Sequence, residues 1–577
     1  MEHNHITLRL GDWSWNAAIT GFLNIIADDK VKIIDNTVTI PVSCFYNFEE
    51  KYFDYFINTY KKLLPWHRIV DYKNTINGYR ESDYMFLSLN GLKAINRYIT
   101  DIAKRYLTSN SFKSAFELIG DKEYIEQLKK GLKKIKEPRD ETIFESKKED
   151  IVEEVEKQFK ILDEIIIYCA STEGKRYIGA KNVIYSFIKM GWNGVCFLNP
   201  QTKIKDVYED YKTYFVGPVF KYIQSEKIKN KYTCFSCGSA IKDLKDNLSF
   251  LNQSGFDAAR KLSHVWNFVN DIAICPICKL IYSCLPAGFV YIGDRGLYVN
   301  INTDLTHNLK TNRKAKADIL EGKQEYYSQK IYVVLVEALK EQQIIKGKYE
   351  LADVQIIRYE NETYQFNLLP EKTIKLIDEH KNQLIGMMRT AYQEGKERIS
   401  IYERVLDHIF KNQNLFLFIN KLLHYKLSLP KNCFFHTGHI LDMLKINVQI
   451  IKNLGGIENM EQKHDYLKEA RGAGFHLRMA YLRKDPNTGK IPSISYRLLN
   501  ALKTGNRNMF MDVILNCYLY VGNPVPYIIT EILREEDEMF STIGYAFVAC
   551  FIEEGKENKI VGKDNENIES ERSFDYE

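Results

Sequence analysis

Two short stretches carry the strongest chemical signal in the chain: CFSCGSAIKD at residues 234–243 and NDIAICPICKLIYSC at residues 270–284. They set Cys234 and Cys237 in one tight pair and Cys275 and Cys278 in another. Each CxxC turns two thiolates toward one point, and two such pairs complete a tetrahedron around a single ion. Gly238 and Pro276 supply the turn chemistry beside the two knuckles. Zinc suits four thiolates best, and iron fits the same geometry. A disulfide pairing needs an oxidising compartment, and a redox pair needs a thioredoxin-like strand-then-helix setting. Neither context surrounds these cysteines. A closed four-thiolate site stabilises a fold and does not catalyse. The gap between the pairs is longer than in a compact zinc ribbon, so residues 238–274 are expected to form a helical insertion. Cys284, inside an apolar run, reads as a core residue.

Outward from the clamp the chain turns basic. Lys227, Lys229 and Lys231 lead up to the first pair, and Lys310, Arg313, Lys314 and Lys316 follow the second. A rigid loop beside clustered cations suits phosphates, although charge alone is equally compatible with a solvated surface. The net charge of +5 is too small to prove a nucleic-acid partner.

A chain of 577 residues exceeds one compact core. Its 45% hydrophobic and 27% charged content reads as soluble and globular. No apolar run is long enough to span a membrane and the N-terminus lacks a signal-peptide core, so no membrane partner and a cytoplasmic location are expected. The scattered cysteines (Cys44, Cys169, Cys196, Cys433, Cys517, Cys550) are then small buried hydrophobes. Residues 1–224 mix strand and helix signals: KVKIIDNTVTIPVSCF alternates as a strand pair around Asp35–Asn36, and WSWNAAITGFL opens a buried helix. The charged run from about Ser111 to Ile165 reads as a solvated helical hairpin broken at Pro138. The cysteine region spans 225–300. Residues 301–370 complete the N-terminal domain with a β-hairpin near Glu360–Asn361. From 371 to 555 long amphipathic segments predict a helical bundle, and 556–577 read as a polar tail. The expected class is α+β: a mixed N-terminal domain with a zinc-binding insertion, then the bundle.

Catalytic motifs are not evident. The string HNH at His3–His5 lacks a ββα-metal context. His464–Asp465 has no completing His or Asp pattern. His436 and His439 have a ligand spacing without a third ligand. No phosphate loop, paired-aspartate motif or serine elbow is present. No enzyme is expected.

Three phrases occur in order along the chain: LGDWSWNAAITGFLNII (10–26, with Trp13, Trp15, Asn16 and Gly21), CFSCG with CPICKLIYSCLPAGFVYIGDRGLYVN (275–300), and ARGAGFHLRMAYLRKD (470–485) with SYRLLNALKTGNRNMFMDVILNCYLYVGNPVP (495–526). This arrangement resembles the large subunit of type I-B CRISPR interference complexes (Cascade), the Cst-type CRISPR-associated protein. The resemblance implies a non-catalytic subunit that recognises the protospacer-adjacent motif in duplex DNA. It would assist R-loop formation by CRISPR RNA and recruit a separate helicase-nuclease. Its partners would be the guide, the target duplex with its displaced strand, and the backbone and small subunits. The bundle resembles the small subunits from about residue 443, and an internal start at Met443 or Met460 could yield a separate one. Within it Arg471, Arg478, Arg483, Lys484, Arg497, Lys503 and Arg507 are candidates to track displaced single-stranded DNA, with Tyr481 or Tyr496 for stacking and Gly505 as a helix stop. Asn16 is more in keeping with packing or capping than with a nucleic-acid contact. The alternatives are a zinc-ribbon-bearing RNA-processing enzyme or nuclease, and a scaffold that binds only protein.

Overall fold

A computed structural model describes residues 5–27, 30–120, 122–226, 230–252, 272–302, 304–321, 354–368, 370–455, 465–486, 489–531 and 536–552. They fall into two compact units, one within residues 1–321 and 348–368, the other within 322–347 and 369–577. The class is α+β, predominantly helical with several small sheets. Lys227, Lys229, Met460, His464 and the tail from residue 556 lie outside the described residues.

In the first unit β1 (His5–Arg9), β2 (Lys32–Ile34) and β3 (Thr37–Pro41) form an antiparallel sheet in the order β1-β3-β2. The β2–β3 turn falls at Asp35–Asn36, with Asp35 at φ 49°, in the left-handed region that Asp tolerates better than most residues. Between β1 and β2 runs helix Trp13–Ile26. Asp12 caps it: the carboxylate accepts from the backbone N–H groups of Ser14 and Trp15, which the first turn otherwise leaves unpaired.

A two-stranded ribbon, β4 (Tyr232–Thr233) and β5 (Ala240–Ile241), carries the first cysteine pair. Farther on, β6 (Val290–Ile292), β7 (Arg295–Ile301), β8 (Val354–Glu360) and β9 (Thr363–Leu368) make one antiparallel sheet in sequence order. The hairpin β8–β9 turns at Asn361–Glu362, both at positive φ, as a tight hairpin turn requires. Helix Leu305–Glu321 is fastened to β7 by Asn312, whose side-chain amide bonds both the N–H and the C=O of Val299. The charged run is helical on either side of an extended piece that contains Pro138. Its longest helix, Lys148–Ala170, buries Ile151, Val155, Phe159, Leu162 and Ile165 along one face. The charges therefore solvate only the opposite face.

The second unit is helical around one buried helix, Asp537–Ile552. That helix is apolar on every side and packs against helices Phe416–Ser428, Thr437–Asn453, Tyr466–Lys484 and Lys490–Lys503. In sequence, residues 371–395 read as one of the long amphipathic segments of the bundle, with few strand signals. Instead, helices Glu371–Glu379 and Lys381–Met387 are followed by a hairpin of β10 (Ala391–Glu394) and β11 (Glu397–Ser400), joined on its other edge by β12 (Cys433–Phe434). The turn residue Gly395, at φ 62°, and the strand-favouring Tyr392 and Ile399 outweigh the helical period there. Among the described residues no helix is long and apolar enough to cross a membrane.

Candidate metal centre and its surroundings

Cys234 follows β4 directly, and the knuckle closes when the Gly238 N–H donates to the Cys234 carbonyl at 2.9 Å. Gly238 sits at φ 69°, a conformation that costs a glycine nothing. The second pair is built differently. Cys275 is the N-cap of helix Pro276–Ser283, Pro276 occupies the first turn, where it needs no N–H partner, and Cys278 is one turn in. The four Sγ atoms all lie within 4.8 Å of one another, with Cys237 and Cys275 at 3.8 Å.

Backbone N–H groups are aimed at the sulfurs: Cys275 N–H at Cys234 Sγ (3.2 Å) and Cys278 N–H at Cys275 Sγ (3.4 Å). Such donors favour thiolates. Crowding opposes full ionisation: hydrogen bonding among the sulfurs holds Cys237 low and pushes Cys275 and Cys278 up. A cation removes that conflict, because a coordinated thiol is deprotonated outright. Cys234, Cys275 and Cys278 are buried and Cys237 is exposed. The donor set thus fits a tetrahedral metal ion. Among the described residues this is the one group of three or more such side chains close enough to hold one.

The expected helical insertion is not what the described part of residues 238–274 forms. It holds β5, a single 3₁₀ turn at Leu248–Phe250 and bridges from Asn247 to Ala273 and from Trp192 to Leu251; residues 253–271 lie outside the described set. Asp243 and Asn247 bond the backbone N–H two residues ahead, the local alternative that competes with a helix.

The centre is fused to the N-terminal helix. Tyr282 accepts a hydrogen bond from Ser236 in the knuckle and packs on Trp15 at a ring separation of 4.9 Å. A Cβ on Gly21 would lie 2.8 Å from Gly288 N and closer still to the Cys284 carbonyl oxygen; one on Gly288 would press on the Ala17 carbonyl. The two helices therefore meet backbone to backbone. Asn16, fully buried, donates to Asn300 (2.9 Å) and Asn302 (2.8 Å) and accepts from Gly11 N–H. That is a packing role with no surface to offer a nucleic acid. The Ser283 carbonyl accepts from Tyr52 and from the Trp192 indole, and its hydroxyl bonds Tyr211 at 2.6 Å. Cys284 is buried in the core. These tethers join positions from 46 to 286 residues apart, and no local pattern announces them.

With this geometry in place, comparison with known proteins gives one match. Residues 227–290 match the family model described as CRISPR-associated protein (Cas_CXXC_CXXC). The matched segment contains both cysteine pairs and the helix they brace, and the match indicates a CRISPR-associated protein. No curated protein and no solved structure matches the chain.

The basic candidates divide sharply. Lys231 and Lys310 are exposed. Lys314 pairs with Asp318 at 3.0 Å. Arg313 donates to Asn24 Oδ1 (2.9 Å) and the Leu23 carbonyl (3.2 Å), tying helix Leu305–Glu321 to the N-terminal helix. Lys316 does not face solvent: it is 8% exposed, and its ammonium donates to Tyr55 (2.5 Å) and the Ala287 carbonyl (2.9 Å). Burial, with Arg313 nearby, pushes it down to about 7. It is a structural anchor at the end of the short helix Leu285–Gly288.

In the second unit Arg478 donates to the carbonyls of Phe551 (3.1 Å) and Ile552 (2.7 Å), where the cation meets the negative end of the central helix. Arg507 pairs with Asp537 at 2.6 Å, and Lys484 bonds the Tyr520 carbonyl and lies over its ring. Arg471 is half-buried. Arg483, Arg497 and Lys503 are exposed, Lys503 closing its helix just before Gly505 at φ 65°. Tyr481 is buried and cannot stack on a base; Tyr496 is exposed beside His424. The pair His436–His439 caps helix Thr437–Asn453, each Nδ1 accepting a backbone N–H.

Proposed function

We propose that this chain is the non-catalytic large subunit of a type I-B CRISPR RNA-guided surveillance complex in the cytoplasm. It recognises the protospacer-adjacent motif in target duplex DNA, assists R-loop formation and recruits a separate helicase-nuclease. In such a division of labour base pairing reads the sequence, while protein reads a short motif and neutralises the backbone. One observation carries the reading. The segment matching a CRISPR-associated family brings its four cysteines together in the same core as the N-terminal Trp–Asn–Gly phrase, so two widely separated parts of the resemblance pack together. The ion is zinc, which suits four thiolates, and its role is to hold the fold. Lys231, Lys310, Arg483, Arg497 and Lys503 supply backbone contacts, and Tyr496 a stacking surface.

The test is to tag the chain in its native host, purify it gently and sequence the RNA that accompanies it. Short RNAs with a constant repeat-derived end, together with several other protein subunits, are the expected result. A chain recovered alone and free of RNA overturns the reading. Metal-dependent cleavage of DNA or RNA by the purified chain overturns the non-catalytic assignment.

A further inference from the structure

The ribbon bearing the first cysteine pair has an arrangement that metal binding does not explain. Its register pairs Tyr232 with Ile241 and Thr233 with Ala240, and Lys231 and Lys242 are the next residues outward on the two chains at the open end. Both lysines are exposed, and neither is ion-paired among the described residues. Like charges across the end of a β-ribbon repel, and an anion held between them relieves the repulsion. Lys245 is also exposed on the chain leaving the ribbon. Of the acids there, Asp246 is neutralised by Lys279 at 2.8 Å, leaving Asp243.

Following Lys231 along the strand and its turn are two partly exposed aromatic residues, Tyr232 at 40% and Phe235 at 49% exposure. Phe235 lies between two metal ligands. Its backbone is pinned by its own N–H to the Ala273 carbonyl (2.8 Å) and by the Gly238-to-Cys234 bond that closes the turn. A half-exposed ring on a turn fixed by a metal is already ordered, so engaging a flat ligand costs little further entropy. Exposed rings next to unpaired cations are what single-stranded nucleic acid uses: bases stack and phosphates meet the charge.

We infer that the metal-held ribbon is a contact site for single-stranded DNA, with Tyr232 and Phe235 stacking on bases and Lys231 and Lys242 sharing a phosphate. The choice of DNA rests on the function proposed above, in which a displaced strand must be held.

The test uses the full metal-loaded chain and fluorescein-labelled oligothymidylate, followed by anisotropy at several salt concentrations. Phe235→Ala and Tyr232→Ala should each weaken binding by about five- to 150-fold, the range for loss of one base stack. Lys231→Gln with Lys242→Gln should lower the slope of log affinity against log salt by about 0.7, one phosphate contact on a single strand. Neither lysine is a metal ligand, so the pair keeps the test valid even if Phe235→Ala loosens the turn; metal content and the urea midpoint serve as controls. Unchanged affinity and slope in the lysine pair overturn the inference, as does an effect confined to oligouridylate. In either case the proposed function still stands, since its own tests are copurification of guide RNA and the cleavage assay.

Discussion

Replacing Gly21 with alanine adds one methyl group at the point where helix Trp13–Ile26 touches the segment that follows the metal centre. The new Cβ would lie 2.8 Å from Gly288 N, 2.9 Å from the Cys284 carbonyl carbon and closer still to the oxygen, distances that real Cβ atoms essentially never show. All three atoms belong to backbone, so no side chain can swing away. Overpacking that flexible neighbours can absorb costs about 1–3 kcal/mol. Here the helices must separate, which puts the cost at or above the top of that range. The gain in helix propensity on replacing glycine returns about 1 kcal/mol. The net expectation is a loss of at least about 2 kcal/mol. The assay is selective, because all five tryptophans (13, 15, 66, 192 and 266) fall within residues 1–321. Urea unfolding followed by tryptophan fluorescence therefore reports the first unit, and its midpoint should drop while a far-UV transition from the second unit stays put. Metal retention should weaken too, since the displaced carbonyl is six residues beyond Cys278. A midpoint that is unchanged or raised in Gly21→Ala would refute the backbone contact.

Two neighbouring glycines give opposite expectations in the second unit. A Cβ on Gly472 meets nothing within 4 Å, whereas one on Gly474 lies 3.0 Å from the Phe547 carbonyl carbon and closer to its oxygen; Gly472→Ala should stabilise by up to about 1 kcal/mol and Gly474→Ala should destabilise by about 2 kcal/mol or more, read by far-UV circular dichroism. Cys278→Ser should abolish stoichiometric metal binding and lower the tryptophan-detected midpoint, and a strong chelator should do the same to the native chain; structural zinc sites contribute on the order of 10 kcal/mol, so an unchanged midpoint would remove the metal from the fold. Lys316 is held down to about 7 from an ordinary 10.5, so between those values the unfolded chain binds one more proton than the folded one. Stability of the first unit should then rise with pH across that window by at most about 1.4 kcal/mol per pH unit on this account, and Lys316→Met should remove that increment. A wild-type and a variant curve that run parallel would show that Lys316 stays charged where it is.

How much of this could be read from the residues follows from the range of each interaction. The knuckles, the Asp35–Asn36 turn, the hairpin at Asn361 and the stop at Gly505 are local, and each was written in a few adjacent residues. The strand pair at β10–β11 was also local, but Gly395 was masked by a helical period on both sides. Lys316 and Arg478 failed as surface cations for a different reason. A lysine or arginine looks the same in sequence whether its head is in water or on a buried carbonyl, and only the fold puts the Ala287 and Phe551 carbonyls within reach. The same holds for Tyr481 and Tyr496, of which the second alone is exposed.

The relation between the N-terminal phrase and the cysteine region is the point at which sequence and structure explain each other. Trp15, Asn16 and Gly21 sit on one helix, yet each answers a demand made more than two hundred residues away. Trp15 packs on the Tyr282 ring, Asn16 fills the amide network of Asn300 and Asn302, and Gly21 is absent of side chain because Cys284 and Gly288 leave no room. A metal centre alone stabilises only the residues it closes into a loop. Tyr282 and Ser283 tie the four-cysteine segment to the N-terminal helix and to Tyr52, Trp192 and Tyr211. Rigidity of that kind is what an exposed ring at Phe235 needs if it is to meet a flexible strand in one geometry. The buried tethers and the half-exposed ribbon are thus two faces of the same arrangement.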